Sequence, residues 1–388
     1  MKPNATTVDL SADTIESAIR GMGIAIPKFR AGHLASANFA DKMSCTTSSQ
    51  SRKVAALYRR TGIEHRGSVL LEENHDLEIV NEFYPPLISP EDRGPTTQQR
   101  SDRYALEAPQ LATQASLKAL KSSGTTADQI THLVTVSCTG FSAPGVDIEL
   151  IDRLGLPPTT QRVQVGFMGC HGAINGLRAA SGLVAASPDA NVLMCSVELC
   201  SLHYQYGYDP DRIVSGALFA DGAAAVVLNR AHTDAALSDD TNDSAFGSIG
   251  SVAATGSYLV ADSRDAMTWL IGDNGFEMTL SAKVPGLIEK YLKSFMVDWL
   301  AGQGETIESV QGWAVHPGGS RILTAAETSL KLDADALSVS RKVLSDHGNM
   351  SSATMLFILQ RFAEQGRPKP WVMLGFGPGL EIEVALIR

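Results

Sequence analysis

The sequence lacks any surplus of positive charge: 32 Lys and Arg stand against 42 Asp and Glu, a net charge of −10. A general nucleic-acid or anionic-membrane partner needs an excess of cations over the contact surface, so both are excluded as partners. Any anionic ligand must therefore meet a local basic patch. Charges interrupt every long apolar stretch, and no basic segment followed by an apolar core opens the chain, so neither a membrane span nor a secretory leader is expected. Cysteine is scarce. Cys45, Cys138, Cys170, Cys195 and Cys200 are odd in number and show neither CxxC nor Cys/His metal spacing. That pattern excludes a disulfide framework and a zinc site, and it fits the reducing cytoplasm. What the chain does have is apolar residues, 44% of 388, enough for a large core and two domain-sized halves.

The run from Val163 to Ala186 organises the rest. Val163-Gln164-Val165-Gly166-Phe167 reads as a strand and Met168-Gly169-Cys170-His171-Gly172 as a tight turn. Apolar residues at helical spacing follow (Ala173, Ile174, Leu177, Ala180, Val184). Cys170 then sits at a helix N-terminus, where free N–H groups and the helix dipole favour the reactive thiolate. The alternative is a buried, inert cysteine, the commonest fate of a free thiol.

Along the chain, residues 1 to about 20 are polar and peripheral, Ile24 to Pro27 suggests a first strand, and Ser48 to Arg60 a helix. That helix gathers Arg52, Lys53, Arg59 and Arg60, either a solvated face or a ligand patch. Four prolines between Glu72 and Thr97 predict loop with short helices. A long helix (105–121) should lead to a buried strand (130–136) and a loop, Ser137 to Gly145, of the kind that lines a site. Further strands are expected at 191–197, 219–228 and 249–261, and a helix at 284–300. The acidic, polar segment Ser238 to Ser244 is the best boundary in the sequence. It divides an N-terminal half (1–245) from a C-terminal half (246–388) that repeats the opening device. There a strand ends at Val315-His316-Pro317, and the polar turn His347-Gly348-Asn349 enters an apolar helix. The pattern predicts two similar α/β halves packed face to face with one site between them.

Cys170, His316 and Asn349 each stand at a strand end or helix start beside glycine, where scaffolds present functional groups. An imidazole can hold a neighbouring cysteine as thiolate, and an amide can donate to a developing oxyanion. The same order of residue types occurs in papain-like proteases, but the Cys-Gly-Ser/Ala-Cys-aromatic surround of that family is missing. The segments Gly166-Phe167-Met168-Gly169-Cys170, Val315-His316-Pro317-Gly318-Gly319, Gly348-Asn349-Met350-Ser351-Ser352-Ala353 and Gly375-Phe376-Gly377-Pro378-Gly379 together resemble type III polyketide synthases, the chalcone and stilbene synthase superfamily, and within it the bacterial alkylpyrone-forming members. The resemblance implies a thiolase-like fold with a layered αβαβα core and a homodimer. It implies acyl-CoA and malonyl-CoA as substrates, no metal, and no cofactor beyond these CoA thioesters.

By the same resemblance Cys170 carries the acyl chain, while His316 and Asn349 drive malonyl-CoA decarboxylation and stabilise oxyanions. Phe219 falls on a gating phenylalanine. The second gate falls on Met278, and a glycine of plant chalcone synthases falls on Trp269, which argues against a chalcone product. Lys53 and Arg60 match basic CoA contacts, a third falls on Ala56, and Arg59 or Arg321 is available to replace it. Thr139, Ala143 and Cys200 match the positions at which small residues open an acyl tunnel in alkylpyrone-forming members. Each methylene buried there contributes roughly 0.8 kcal/mol. The implied reaction is loading of a fatty acyl starter on Cys170 and extension by decarboxylative Claisen condensation to a pyrone or resorcinol. The rival readings are an initiating ketoacyl-ACP synthase and a non-catalytic binding protein on the same fold.

Overall fold

In the computed structural model, which describes residues 16–231 and 249–388, both halves are built from strands that alternate with helices. The first runs β1 (Ser17–Ala25), β2 (Arg30–Gly32), α1 (His33–Ser44), α2 (Ser48–Arg60), β3 (His65–Gly67), α3 (Thr97–Ser123), β4 (His132–Ser137) and α4 (Val146–Leu154). It continues with β5 (Gln161–Gly166), α5 (Gly172–Ala186), β6 (Val192–Leu199), α6 (Pro210–Leu218) and β7 (Asp221–Arg230). The second comprises β8 (Gly250–Leu259), β9 (Met267–Gly272), β10 (Gly275–Leu280), α7 (Val284–Ala301), β11 (Gly312–Val315) and α8 (Ser320–Leu330). It closes with α9 (Ser338–His347), α10 (Ala353–Glu364), β12 (Trp371–Gly377) and β13 (Glu381–Ile387). The candidate boundary Ser238 to Ser244 lies outside the described residues.

The pseudo-repeat of the sequence is visible in the strand pairing. From β1, the first half pairs antiparallel to β7, antiparallel again to β6, then parallel to β4. From β8, the second half pairs antiparallel to β13, antiparallel to β12, then parallel to β11. The halves are not two separate sheets. Ser17 to Ile19 of β1 pair with Gly250 to Val252 of β8, so nine strands join edge to edge in the order β11-β12-β13-β8-β1-β7-β6-β4-β5.

Alternation along the strands sorts the core into layers. Val134, Val192, Met194, Ala224 and Val226 of the first half, with Ala314, Met373 and Ala385 of the second, pack on α5 and α10 in the middle. The residues between them turn outward: Leu193, Val197 and Val227 onto α3 and α4, and Val315, Val372 and Val384 onto α7 and α8. The result is the layered αβαβα core, with α5 and α10 shared by both halves. Their N-termini carry Cys170 and Asn349.

Several elements differ from the sequence reading. Strand β1 begins at Ser17, not Ile24. Helix α3 begins at Thr97, where Thr96 and Gln99 form a capping box, and it runs through Pro109. No α-helix forms between Glu72 and Thr96. Helices α4 and α6 were not foreseen, although Asp209-Pro210 supplies both an N-cap and a first-turn proline for α6.

Candidate active site

Backbone geometry brings the three candidate residues together. Cys170 precedes His171, the N-cap of α5, and follows Gly169, whose φ of +82° favours glycine. A Cβ on Gly169 would stand 2.3 Å from Pro378 Cδ, so the cysteine turn packs directly on the Gly375 to Gly379 segment. His316 directly follows β11, and its N–H donates to the Leu374 carbonyl at 2.8 Å. Asn349 is held by its backbone: its N–H donates to the Leu218 carbonyl and its carbonyl accepts from the Ala220 N–H, both at 2.9 Å. The Ser351 N–H donates to Asn349 Oδ1 at 2.9 Å, so the Asn349 amide presents its NH₂ group to the site. Cys170, His316 and Asn349 line one cavity with Phe219 and Met278.

That cavity is small, about 20 Å³, room for roughly one water. Burial pushes the Cys170 thiol up to about 12, with Glu198 adding to the rise and Ser351 and Asn349 pulling it down. Burial, helped by His171, pushes His316 down to about 3. Burial therefore opposes the thiolate that the helix terminus favours. Cys170 lies one residue before the cap, and desolvation of the charged form outweighs what the helix terminus supplies. Burial thus disfavours the charged form of both groups. Among the described residues neither ring nitrogen of His316 has a hydrogen-bond partner, so both are free for proton transfer.

Phe219 and Met278 line the cavity of Cys170 and His316, a neighbouring one of about 20 Å³, and a third of about 90 Å³. They stand as the partition between these spaces. Met278 is directly opposite Trp269 across the β9–β10 pair, and Trp269 Nε1 donates to the Cys138 carbonyl at 2.8 Å. Thr139 and Cys200 line the second cavity beside Cys170. Ala143 does not join them: it is exposed in the single chain and lines none of these three cavities.

Two residues escaped the sequence reading. Glu198, fully buried, accepts from the Cys138 N–H at 2.9 Å and Thr139 Oγ1 at 2.8 Å, and it bonds Ser352 Oγ. Burial pushes its carboxyl up to about 7 against these donors. A lone carboxylate in the otherwise apolar run of β6 was the signal. Arg66, buried in β3, lines the larger cavity.

Lys53 and Arg60, exposed on α2, line a surface cleft of about 510 Å³ together with Arg52, Ala56 and Tyr208. Val214 of α6 lines both this cleft and the cavity of Cys170 and His316, so one side chain separates them. Arg321, exposed in the first turn of α8, is not among the residues lining the cleft, and neither is Arg59. Among the described residues no cluster of three His, Cys, Asp or Glu could hold a metal ion, and no helix is long and apolar enough to cross a membrane.

The models for the N-terminal and C-terminal domains of chalcone and stilbene synthases match residues 14–231 and 252–388. Among curated relatives, 1,3,6,8-tetrahydroxynaphthalene synthase of Streptomyces peucetius subsp. caesius is 37% identical over 281 residues, 72% of this chain and 72% of that protein. The alpha-pyrone synthesis polyketide synthase-like Pks18 of Mycobacterium tuberculosis is 32% identical over 294 residues, 74% of this chain and 72% of its own length. Among solved structures, PKS-I from the brown algae Ectocarpus siliculosus superposes with a TM-score of 0.84 at 29% identity, covering 97% of this chain and 99% of that one. With more than half of the sequence matched by one domain model and most of the remainder by the other, the chain belongs to the chalcone and stilbene synthase family of type III polyketide synthases, malonyl-CoA-using acyltransferases of thiolase-like fold.

Proposed function

We propose that the enzyme loads a fatty acyl starter from its CoA thioester onto Cys170, extends it with malonyl-CoA, and releases a pyrone or resorcinol-type product. The observation that carries this reading is the pairing of a closed Cys170, His316 and Asn349 cavity with a basic cleft one side chain away. The cleft of Arg52, Lys53 and Arg60 receives the CoA phosphates. The thioester arm passes α6 beside Val214 and displaces Phe219 and Met278. His316 takes the Cys170 proton as sulfur attacks the thioester carbonyl, and returns it to the departing CoA sulfur. When malonyl-CoA follows, CO₂ leaves and the enolate oxygen is held by the His316 imidazole and the Asn349 NH₂. The enolate carbon then attacks the Cys170 thioester, which frees the sulfur and leaves the lengthened chain on CoA.

Low volume at Thr139 and Cys200 supports entry of an alkyl chain behind Cys170. A homodimer is part of this reading. Strand β5 is the sheet edge, its residues 161–164 are exposed, and Phe141 and Ala143 lie exposed in the loop after β4. An uncovered strand edge is a template for pairing, and a second copy seated there would cover Ala143. The five free cysteines fit the cytoplasm.

The test supplies acyl-CoA and malonyl-CoA without any carrier protein and follows CoA release, the acyl adduct on Cys170 and product mass. Extension products are expected. Activity only with malonyl groups on a carrier protein would make the enzyme an initiating ketoacyl synthase instead.

A further inference from the structure

Two arginines are buried in the first half, and they are treated differently. Arg100 is fully buried, and four protein acceptors take its Nη1 and Nε, so that Nη2 alone is left without a partner among the described residues. Nη1 donates to the carbonyls of Leu202 and Tyr204 at 2.6 and 2.9 Å and to Tyr84 Oη at 3.0 Å, and Nε donates to the Pro95 carbonyl at 2.8 Å. Arg66 is 8% exposed and has one acceptor, the Gly216 carbonyl, 3.1 Å from Nη1. Its guanidinium lies over the Tyr58 ring, 5.3 Å from the centroid. Nε and Nη2 have no partner among the described residues. Its aromatic neighbours Tyr58 and Tyr204 are phenols that burial keeps protonated, and no carboxylate among the described residues pairs with it. The nearby Asp221 is already engaged by the N–H groups of Val69 and Ser201 and by Ser201 Oγ.

The two free donors are not arbitrary. Nε–H and Nη2–H point from the same edge of the planar guanidinium, the edge that matches both oxygens of a carboxylate. Nη1 on Gly216 and the ring of Tyr58 fix the plane, so the fork is set in advance. Arg66 lines the cavity of about 90 Å³ that also touches Phe219, Met278 and Cys200. It lines neither cavity that Cys170 lines, so it meets the far end of a chain whose thioester end is on the cysteine.

We propose that Arg66 is a specificity residue that narrows the fatty acyl starter to chains whose distal end is a carboxylate, so that the preferred substrate class is the CoA monothioester of an α,ω-dicarboxylic acid. This rests on the reading that the acyl chain loaded on Cys170 occupies the cavity beyond Cys200. A buried cation without a counter-charge is costly, and an entering carboxylate removes that cost. A plain alkyl end leaves the fork unmatched, which is how a site built for polar recognition rejects an analogue lacking the polar group.

The experiment pairs starters of equal length: butyryl- with succinyl-CoA, hexanoyl- with adipoyl-CoA, octanoyl- with suberoyl-CoA. The readout is kcat/KM for the Cys170 adduct in wild type, Arg66→Lys and Arg66→Leu. At one chain length or more, wild type should favour the carboxylated partner by on the order of 10²-fold or more. Arg66→Leu should reverse that ratio, and Arg66→Lys, which keeps charge but not the fork, should fall between. A ratio within one variant cancels any general loss of activity, and the wild-type ratios stand even if a variant fails to fold. Equal loading of alkyl and carboxylated partners by wild type at every length, or a preference that survives Arg66→Leu, overturns the proposal. Absence of any adduct on wild-type Cys170 with all six starters would instead sink the polyketide starter reading on which it rests.

Discussion

The cleft at Lys53 and Arg60 and the pocket at Cys170 are separated by one valine and obey opposite electrostatics. The cleft is open, about 510 Å³, and its cations are exposed, where holding charge costs little and phosphates can be met without stripping water from a buried group. The pocket is closed, about 20 Å³, and its thiol and imidazole are both driven to their neutral forms. On the proposed reading, charge is kept where the carrier binds and created only transiently where bonds change. In a low-dielectric pocket each donor aimed at that transient charge is worth more than it would be in water.

The sharpest break of this contrast is Cys170→Ala. It should abolish acyl loading and product formation while slow malonyl-CoA decarboxylation persists, because that step relies on His316 and Asn349. Intact-mass analysis should show an acyl adduct on wild type alone; an adduct on the alanine variant would falsify the assignment of the nucleophile. Next in size, His316→Ala and Asn349→Ala should each lower decarboxylation by about two to three orders of magnitude, the usual loss for one oxyanion donor. Near-normal CO₂ release from Asn349→Ala would show that its NH₂ group does not face the enolate.

On the open side, Lys53→Ala and Arg60→Ala should raise KM for CoA thioesters with little change in kcat, since the phosphates lie far from the bond-forming carbon. The defect should shrink as salt is raised, because exposed charges are screened. Malonyl-pantetheine should abolish the difference between variant and wild type. If the variants stay equally impaired with that substrate, the two side chains support the helix and not the ligand.

The smallest effect sharpens the comparison on the buried side. His203 Nε2 donates to the Thr139 carbonyl at 2.7 Å, Nδ1 accepts from the Phe276 N–H at 3.0 Å, and the ring stacks on Phe276. Only the neutral ring satisfies both bonds, and burial pushes its pKa down to about 3. A lowered histidine pKa gives stability that is present above the unfolded value of about 6.5 and is lost as pH falls toward the folded one, at up to about 1.4 kcal/mol per pH unit. The stability gap between wild type and His203→Gln should therefore narrow between pH 7 and pH 4. A constant gap across that range would mean that the buried ring takes up its proton no less readily than in the unfolded chain.

Local chemistry made much of this molecule legible. The helix Ser48–Arg60 was read with the bounds it has, because its capping residues and polar face are contiguous in sequence. The turns that carry Cys170, His316 and Asn349 were legible because glycine and a change of apolar period mark where a strand stops and a helix starts. Helix α6 was missed although its Asp-Pro start was in view, and so was the capping box that starts α3 eight residues before the apolar pattern was recognised. In α3 the apolar pattern marks only the buried middle, while the start rests on two polar caps.

The sequence by itself therefore determined two similar α/β halves, since these rest on periodicity, and the family, whose short contiguous motifs also carry the layered core and the three candidate residues that line one pocket. Tertiary structure alone decided that burial opposes the Cys170 thiolate, that Met278 faces Trp269, that Ala143 lines none of the three cavities and that two Arg66 donors have no partner among the described residues. The physical reason is that desolvation and hydrogen-bond satisfaction are sums over residues distant in the chain. An apolar pattern says that a side chain is buried, but what it is buried against is settled only when strands and helices from both halves close around it.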